Sequence, residues 1–189
     1  MTGISNMGDE IVLKRLDLLR QAAPGAARIL AIYHPDDPIT APQLAALDAS
    51  AASLGAAHLA APVRDVAELD AAFERGERWG ANGVLRIIGI GGPTDFPAIR
   101  LAQRRRWPSM FVFRPHVAAG ALLGYFADRR ENFRRSAGYV ARILRGERPG
   151  DLPVERPTKF DLFVNAGTAR ELGLSLPPTL LVLAEEVLE

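Results

Sequence analysis

The residues of this 189-residue chain that could do chemistry are few, and their spacing points to recognition rather than reaction. There is no cysteine, which excludes disulfides, thiolate metal sites and cysteine nucleophiles. No G-x-S-x-G, H-E-x-x-H or Walker pattern is present. The acid pairs Asp36-Asp37 and Glu185-Glu186 are adjacent in sequence, a spacing that does not set two carboxylates across a substrate. His34, Asp36 and Asp37 share a loop, but Pro35 and Pro38 restrain it and no second histidine stands at ligand spacing, so no metal is expected there. Gly89-Ile90-Gly91-Gly92-Pro93 has the look of a phosphate-binding turn. Thr94 occupies the last position of the glycine pattern and no P-loop lysine follows. The stretch reads instead as a rim of small residues that leaves room for a ligand. Arg114 could clamp a carboxylate bidentately or pair with a structural carboxylate. Tyr125 could cover an aromatic or aliphatic group, and Asp128 could hold an ammonium. No enzyme and no cofactor is expected.

The elements that would position these residues follow from periodicity. Asp9 can cap a helix in which Ile11, Leu16 and Leu19 share one face, with Lys14, Arg15 and Asp17 off it. Residues 28–33 (RILAIY) form an apolar run suited to a strand buried on both faces. A helix over 41–54, a strand near 58–63, a helix over 68–79 and a strand over 83–90 follow. Then come a helix over 96–105, a strand over 109–113 and a fifth strand over 121–126. A long helix over 133–144 carries Phe133, Ala137, Val140 and Leu144 on one stripe. Pro153 and Pro157 hold an extended path. Residues 160–164 alternate as a strand, Asn165 or Thr168 caps a short helix, and Gly173 stands where a left-handed end is wanted. Strands alternating with helices predict an α/β fold, a parallel sheet with helices on both faces. Ligands of such sheets bind beyond the C-terminal strand ends.

Composition is that of a globular chain, 48% hydrophobic with a mean hydropathy of +0.04. A formal charge of +1 gives no reason to expect nucleic acid as a partner. The arginine groups at 104–106 and 129–135 read as solvated helix faces, and Trp79 and Trp107 as core. No apolar run reaches the ~18 residues of a membrane span. The opening MTGISNMGDE lacks a signal peptide's basic start and apolar middle.

Residues 146–174 carry a longer pattern: Gly146, Pro149, Asp151–Glu155, Pro157–Phe160, Leu162, Asn165, Thr168-Ala169 and Leu172–Leu174. It resembles the tail of ABC-transporter substrate-binding proteins of the tryptophan/tyrosine type. The opening is similar to that family's N-V-T-G-x-S-N crossover. Phe113-Arg114, Val117, Ala119-Gly120, Tyr125 and Asp128 match its F-R-E-F-V-x-A-G-G-L-M-S-Y-G-P-D stretch, although Gly124 and Phe126 flank the tyrosine where the family has Ser and Gly.

The resemblance implies one lobe of a type I periplasmic-binding fold plus a C-terminal return segment. Residues 1–128 would form a second-lobe-like domain. Residues 129–189 would be a helix, hinge-linker and strand/helix segment returning towards a first lobe. It implies a solute-binding component of an ABC importer that grips a small amino-acid-like solute, an aromatic amino acid, by lobe closure. Its partner would be an ABC permease. Solute contacts would come from Ser5, Asn6, His34, Gly91, Arg114, Tyr125 and Asp128. For Ser5 and Asn6 the other reading is helix capping; for His34 it is a loop histidine bonded to nearby backbone. A ligand-sensing regulatory domain of the same fold, or a nonfunctional remnant, is the alternative.

Met1 stands where the family has valine, as if a GTG codon had been read as a start and the chain were N-terminally truncated. Whole, the protein would be periplasmic or lipid-anchored; as written it has no export signal and would stay cytoplasmic. Exposed apolar surface around 139–144 and 160–164 would then favour a homodimer.

Overall fold

The strand Arg28–Tyr33 organises the fold, because each of its faces belongs to a different core. Ile29 and Ala31 point into one apolar cluster, Leu30 and Ile32 into another, and all four are buried. That is the period of two of a strand covered on both sides. The computed structural model describes residues 2–5, 8–89 and 92–189. Asn6 and Gly91, two of the expected solute contacts, lie outside the described residues.

In chain order the elements are β1 (Gly3–Ile4), α1 (Gly8–Ala22), β2 (Arg28–Tyr33), α2 (Thr40–Ser50), β3 (Ala57–Pro62), α3 (Ala67–Trp79) and β4 (Gly83–Arg86). There follow α4 (Asp95–Arg104), β5 (Ser109–Phe111), α5 (Arg114–Ala118), β6 (Leu123–Ala127) and α6 (Arg129–Leu144). The chain ends with β7 (Val154–Glu155), β8 (Phe160–Asn165), α7 (Ala166–Leu172), α8 (Pro178–Leu183) and β9 (Glu186–Leu188). The predicted α/β fold is the observed one. The strand expected over 83–90 stops at Arg86, and α1 starts at Gly8, so Asp9 lies in its first turn rather than at its cap.

Two compact units are present: Met1–Met7 with Phe126–Asp161, and Gly8–Tyr125 with Leu162–Glu189. In the larger unit the described strands run in the order β3-β2-β4-β5-β6-β8-β9. The pairings of β2 with β3 and β4, β4 with β5, β5 with β6, and β8 with β9 are parallel. One face of the sheet packs on Val12, Leu16 and Leu19 of α1, Leu47 of α2, Ala169 of α7 and Leu180 of α8. The other packs on Leu69 and Phe73 of α3 and on Ala98, Ile99 and Ala102 of α4. Each fully buried Leu, Ile or Phe contributes on the order of 2 kcal/mol, so these stripes are what hold the helices down.

The C-terminal segment belongs to this sheet. Leu162 and Val164 are buried in the same cluster as α1, so the exposed apolar patch expected at 160–164 is absent. The reason is pairing: the Asn165 amide donates to the Leu122 carbonyl (2.9 Å), and β9 covers the other side of β8. The sequence reading draws one boundary, after Asp128. The compact units break after Tyr125 and again after Asp161, and the second break places α7, α8 and β9 with the larger unit. The cap reading of this segment holds: Asn165 Oδ1 accepts the Thr168 amide (2.7 Å), and Gly173 ends α7 at φ 73°.

The smaller unit is built from α6 and the parallel pair β1–β7. Its polar centre is Glu155, which accepts the Tyr139 hydroxyl (2.7 Å) and pairs with Arg135. Those two partners, the tyrosine hydrogen bond first, hold the Glu155 carboxyl below its usual range.

Candidate functional site

The described C-terminal strand ends of β4 and β5 open onto a cavity of about 340 Å³. It is lined by the chain leaving β4 (Arg86 to Gly89, and Gly92), by Asp95 and Phe96 opening α4, and by Val112, Phe113 and His116 after β5. The loop leaving β4 is held from behind by Gln43, a fully buried side chain of α2. Its amide donates to the Ile88 carbonyl (2.6 Å) and accepts from the Ile88 amide (3.0 Å). Gly89 is required there: a Cβ would fall 2.6 Å from Asp37 Oδ2 and 3.2 Å from the Thr40 methyl. Only a residue without a side chain lets α2 approach this closely.

The cavity floor is charged. Arg86 Nε donates to Asp95 Oδ1 (2.7 Å), with both side chains about 5% exposed. His116 Nδ1 accepts from the Val112 and Phe113 amides (3.4 and 3.3 Å). The proton therefore sits on Nε2, which faces Asp95 Oδ2 at 3.5 Å. Burial pushes the His116 pKa down; Asp95 opposes that, and Arg86 and Arg15 add to it. Three aromatic rings surround the imidazole: Phe96 (5.5 Å between ring centres), Phe111 (5.7 Å) and Phe113 (5.6 Å). Phe96 is 41% exposed at the mouth. The arrangement offers apolar ring faces above a rigid polar floor, which is how small-molecule sites combine affinity with orientation.

Beneath the floor lies Arg15. It is fully buried, although its helix position suggested a face away from the apolar stripe. It donates to the carbonyls of Arg86 (2.6 Å), Phe111 (2.7 Å) and Met110 (3.5 Å). Desolvation, with Arg86 adding and Asp95 opposing, lowers its pKa to about 9. A guanidinium can enter the core here because three strand-end carbonyls stand where helix α1 crosses them.

The residues singled out by sequence are distributed more widely. Gly89 and Gly92 of the small-residue rim line the cavity. His34 follows β2 half-buried, its Nδ1 accepting from the Asp36 amide (3.3 Å). Arg114 opens α5 and forks onto Glu186 at 2.6 and 2.5 Å, which raises its pKa and lowers that of the carboxyl. Tyr125 lies in β6, half-buried against the core, and burial pushes its phenol up. In the smaller unit, Asp128 caps α6 by accepting from the Arg130 and Glu131 amides (2.8 and 3.2 Å) and pairs with Lys159. The Glu131 amide bond leads the causes that lower its pKa, with Lys159 contributing. The Ser5 amide extends the β1–β7 pair by donating to the Glu155 carbonyl (2.8 Å).

Sequence reasoning missed Arg15, Arg86, Asp95, Phe96, Phe113 and His116. One signal was available: Arg86 interrupts the apolar run GVLRIIGI, where a cation requires buried partners.

The fold recurs among known proteins. Solved structures with the same fold include a conserved domain protein from Vibrio cholerae (23% identity, TM-score 0.83, covering 98% of this chain and 62% of that one). A second is an ABC domain from Streptococcus pneumoniae in complex with L-Trp (19% identity, TM-score 0.83, covering 99% and 64%). A third is an ABC transporter solute-binding protein from Agrobacterium vitis bound to tagatopyranose (11% identity, TM-score 0.67, covering 97% and 62%). The chain thus spans less than two thirds of the length of these proteins. Among curated proteins no match is found. Among the described residues no helix is long and apolar enough to cross a membrane. The family model described as "ABC transporter substrate binding protein" matches residues 1–188. The chain therefore belongs to the ABC transporter substrate-binding protein family, a class of binding proteins with the periplasmic-binding-protein-like α/β fold.

Proposed function

We propose that this chain is the solute-binding component of an ABC importer and that its β4–β5 cavity forms one wall of the solute site. The observation that carries the reading is the cavity itself. It lies at C-terminal strand ends, with Phe96, Phe113 and His116 around a buried Arg86–Asp95 pair. Ring faces of this kind suit a flat apolar group, and the structural neighbour from Streptococcus pneumoniae in complex with L-Trp supports an aromatic amino acid as the solute. Closure of a second lobe over the site would complete it, the bound solute shifting the population towards the closed form. An ABC permease would receive that form, outside the cytoplasmic membrane, with the protein periplasmic or lipid-anchored. Of the residues named from sequence, His34 just after β2 and Gly91 of the rim remain proposed contacts. Ser5, Asn6, Arg114, Tyr125 and Asp128 are assigned to the closed form. Exposed Phe133, Val140 and Leu144 on α6 support self-association of the chain as it stands.

The test is a titration of the ¹⁵N-labelled chain with L-tryptophan and with glycine. Saturable shifts at Gly89, Gly92, Phe113 and His116 are expected with tryptophan, with affinity reduced about two- to tenfold by Phe113→Ala through loss of an aromatic contact of about 0.5–1.5 kcal/mol. Identical responses to both amino acids, or none at these positions up to millimolar solute, would refute the assignment.

A further inference from the structure

Past the last residue of a strand the ladder no longer supplies acceptors for backbone amides, so the group that takes them sets the path of the chain. β5 ends at Phe111, and the next two amides, of Val112 and Phe113, both donate to Nδ1 of His116 (3.4 and 3.3 Å). His116 returns the contact through its own backbone, its amide donating to the Phe113 carbonyl (3.0 Å). Phe113 is thus tied at both its amide and its carbonyl to one residue of α5, and both residues line the cavity.

That arrangement is open to one protonation state. A neutral imidazole with its proton on Nε2 presents Nδ1 as an acceptor, whereas the imidazolium is a donor at both nitrogens. A proton on Nδ1 would point at two N–H groups that already point at it, where the residue is 7% exposed and water has little access. The charged groups facing the ring are Asp95 from α4, Arg86 from the end of β4 and Arg15 from α1. Its other neighbours are the rings of Phe96 on α4, Phe111 on β5 and Phe113. Nε2 faces Asp95 in either state, so the change on protonation falls on the Val112–Phe113 turn. Burial, the largest influence, disfavours the charged ring, Asp95 favours it, and the two arginines oppose it.

We infer that His116 is a positioning residue that sets the Phe113 wall of the cavity through its neutral Nδ1, so that protonating the ring releases the Val112–Phe113 turn and lowers affinity for solute. The inference rests on the solute-binding reading above and adds a residue acting through the backbone of a contact residue, with a pH dependence of binding. The sign follows from which state holds the turn. Solute favours the neutral ring, so affinity is level above the His116 pKa of the free chain and falls as pH drops below it, by at most about tenfold per pH unit for one proton. That pKa lies below the ordinary 6.5, which puts the fall on the acid side of neutrality.

The test follows the His116 ring and the Val112 and Phe113 amides by NMR in the solute-free chain from about pH 7 to about pH 5, a range in which the carboxyl and amine of an L-tryptophan probe keep their charges. Tryptophan affinity is measured at the same pH values. The two amides should move with the midpoint of the ring while the amides of β2 stay in place, and affinity should fall at that midpoint. His116→Asn keeps an acceptor oxygen in the place of Nδ1 and cannot titrate, so it should bind tryptophan equally at both ends of the range. The parent chain's own titration decides if that variant does not fold. A ring that stays neutral throughout, amides that ignore its titration, an affinity that stays level while it titrates, or a His116→Asn profile as steep as the parent's overturns the inference. Tryptophan that fails to bind at neutral pH removes the solute reading instead, and the amide titration then decides alone whether His116 holds the turn.

Discussion

Helices α1 and α6 are of similar length, each with an apolar stripe, and end in opposite environments. Both run for about four turns, and both carry apolar side chains at helical spacing beside basic residues. On α1 the stripe of Ile11, Val12, Leu16 and Leu19 is buried, and even Arg15 is fully enclosed. On α6 Phe133, Val140 and Leu144 are 66%, 55% and 82% exposed, and Tyr139 is its buried residue. The difference lies in what each helix has to pack on. α1 lies across the wide sheet of the larger unit, while α6 packs in a unit whose strands are the two-residue pair β1–β7. Periodicity states which face a helix would bury; it does not say whether there is anything to bury it against.

The comparison can be broken most directly at Arg15. Arg15→Ala should destabilise the larger unit by about 3 kcal/mol or more, because it strands buried carbonyls and leaves the Arg86–Asp95 pair without a neighbour. A urea-unfolding midpoint unchanged from the parent chain would show that the enclosure of Arg15 is incidental. Next in size, Asn165→Ala removes both the cap on α7 and the Nδ2 bond to the Val117 carbonyl (2.8 Å). About 1–2 kcal/mol should be lost in the same measurement.

A smaller effect comes through pH. His116 has its folded pKa depressed below the ordinary 6.5 by burial. The unfolded chain then binds the extra proton first as pH falls, so stability rises with pH through this window and is level above it. Thermal midpoints should therefore drop below about pH 6.5, with a slope of at most about 1.4 kcal/mol per pH unit for one proton. His116→Asn should flatten that slope; a slope that persists unchanged would place its origin elsewhere. The smallest effect is expected on α6. Leu144→Glu should alter folding stability by no more than about 0.5 kcal/mol, since the side chain is exposed. It should nonetheless weaken any self-association seen by sedimentation. A loss of several kcal/mol would mean that the face of α6 is covered after all.

Much of the architecture was legible because it is local. The run RILAIY became β2 with the expected ends, the alternation at 160–164 became β8, and Asn165 and Gly173 bound α7 as their side chains and backbone freedom require. Of the small-residue rim, Gly89 and Gly92 line the cavity. Arg114 and Asp128 were recognised as charged groups worth attention, but their observed partners are Glu186, and the α6 amides with Lys159. A guanidinium or carboxylate looks the same in sequence whether it meets a solute, a neighbouring acid or a helix end.

What the amino-acid order settled alone was the alternation of strands and helices, the caps, and the family pattern along the C-terminal tail. Each depends on spacing along the chain or on one residue's conformational range. Tertiary structure alone decided that Arg15 and Arg86 enter the core, that Asp95 and His116 meet beneath two phenylalanines, and that the stripe on α6 stays exposed. Those outcomes depend on which carbonyls and which apolar surfaces arrive from residues far away in sequence, and burial of a charge is favourable only where such partners converge.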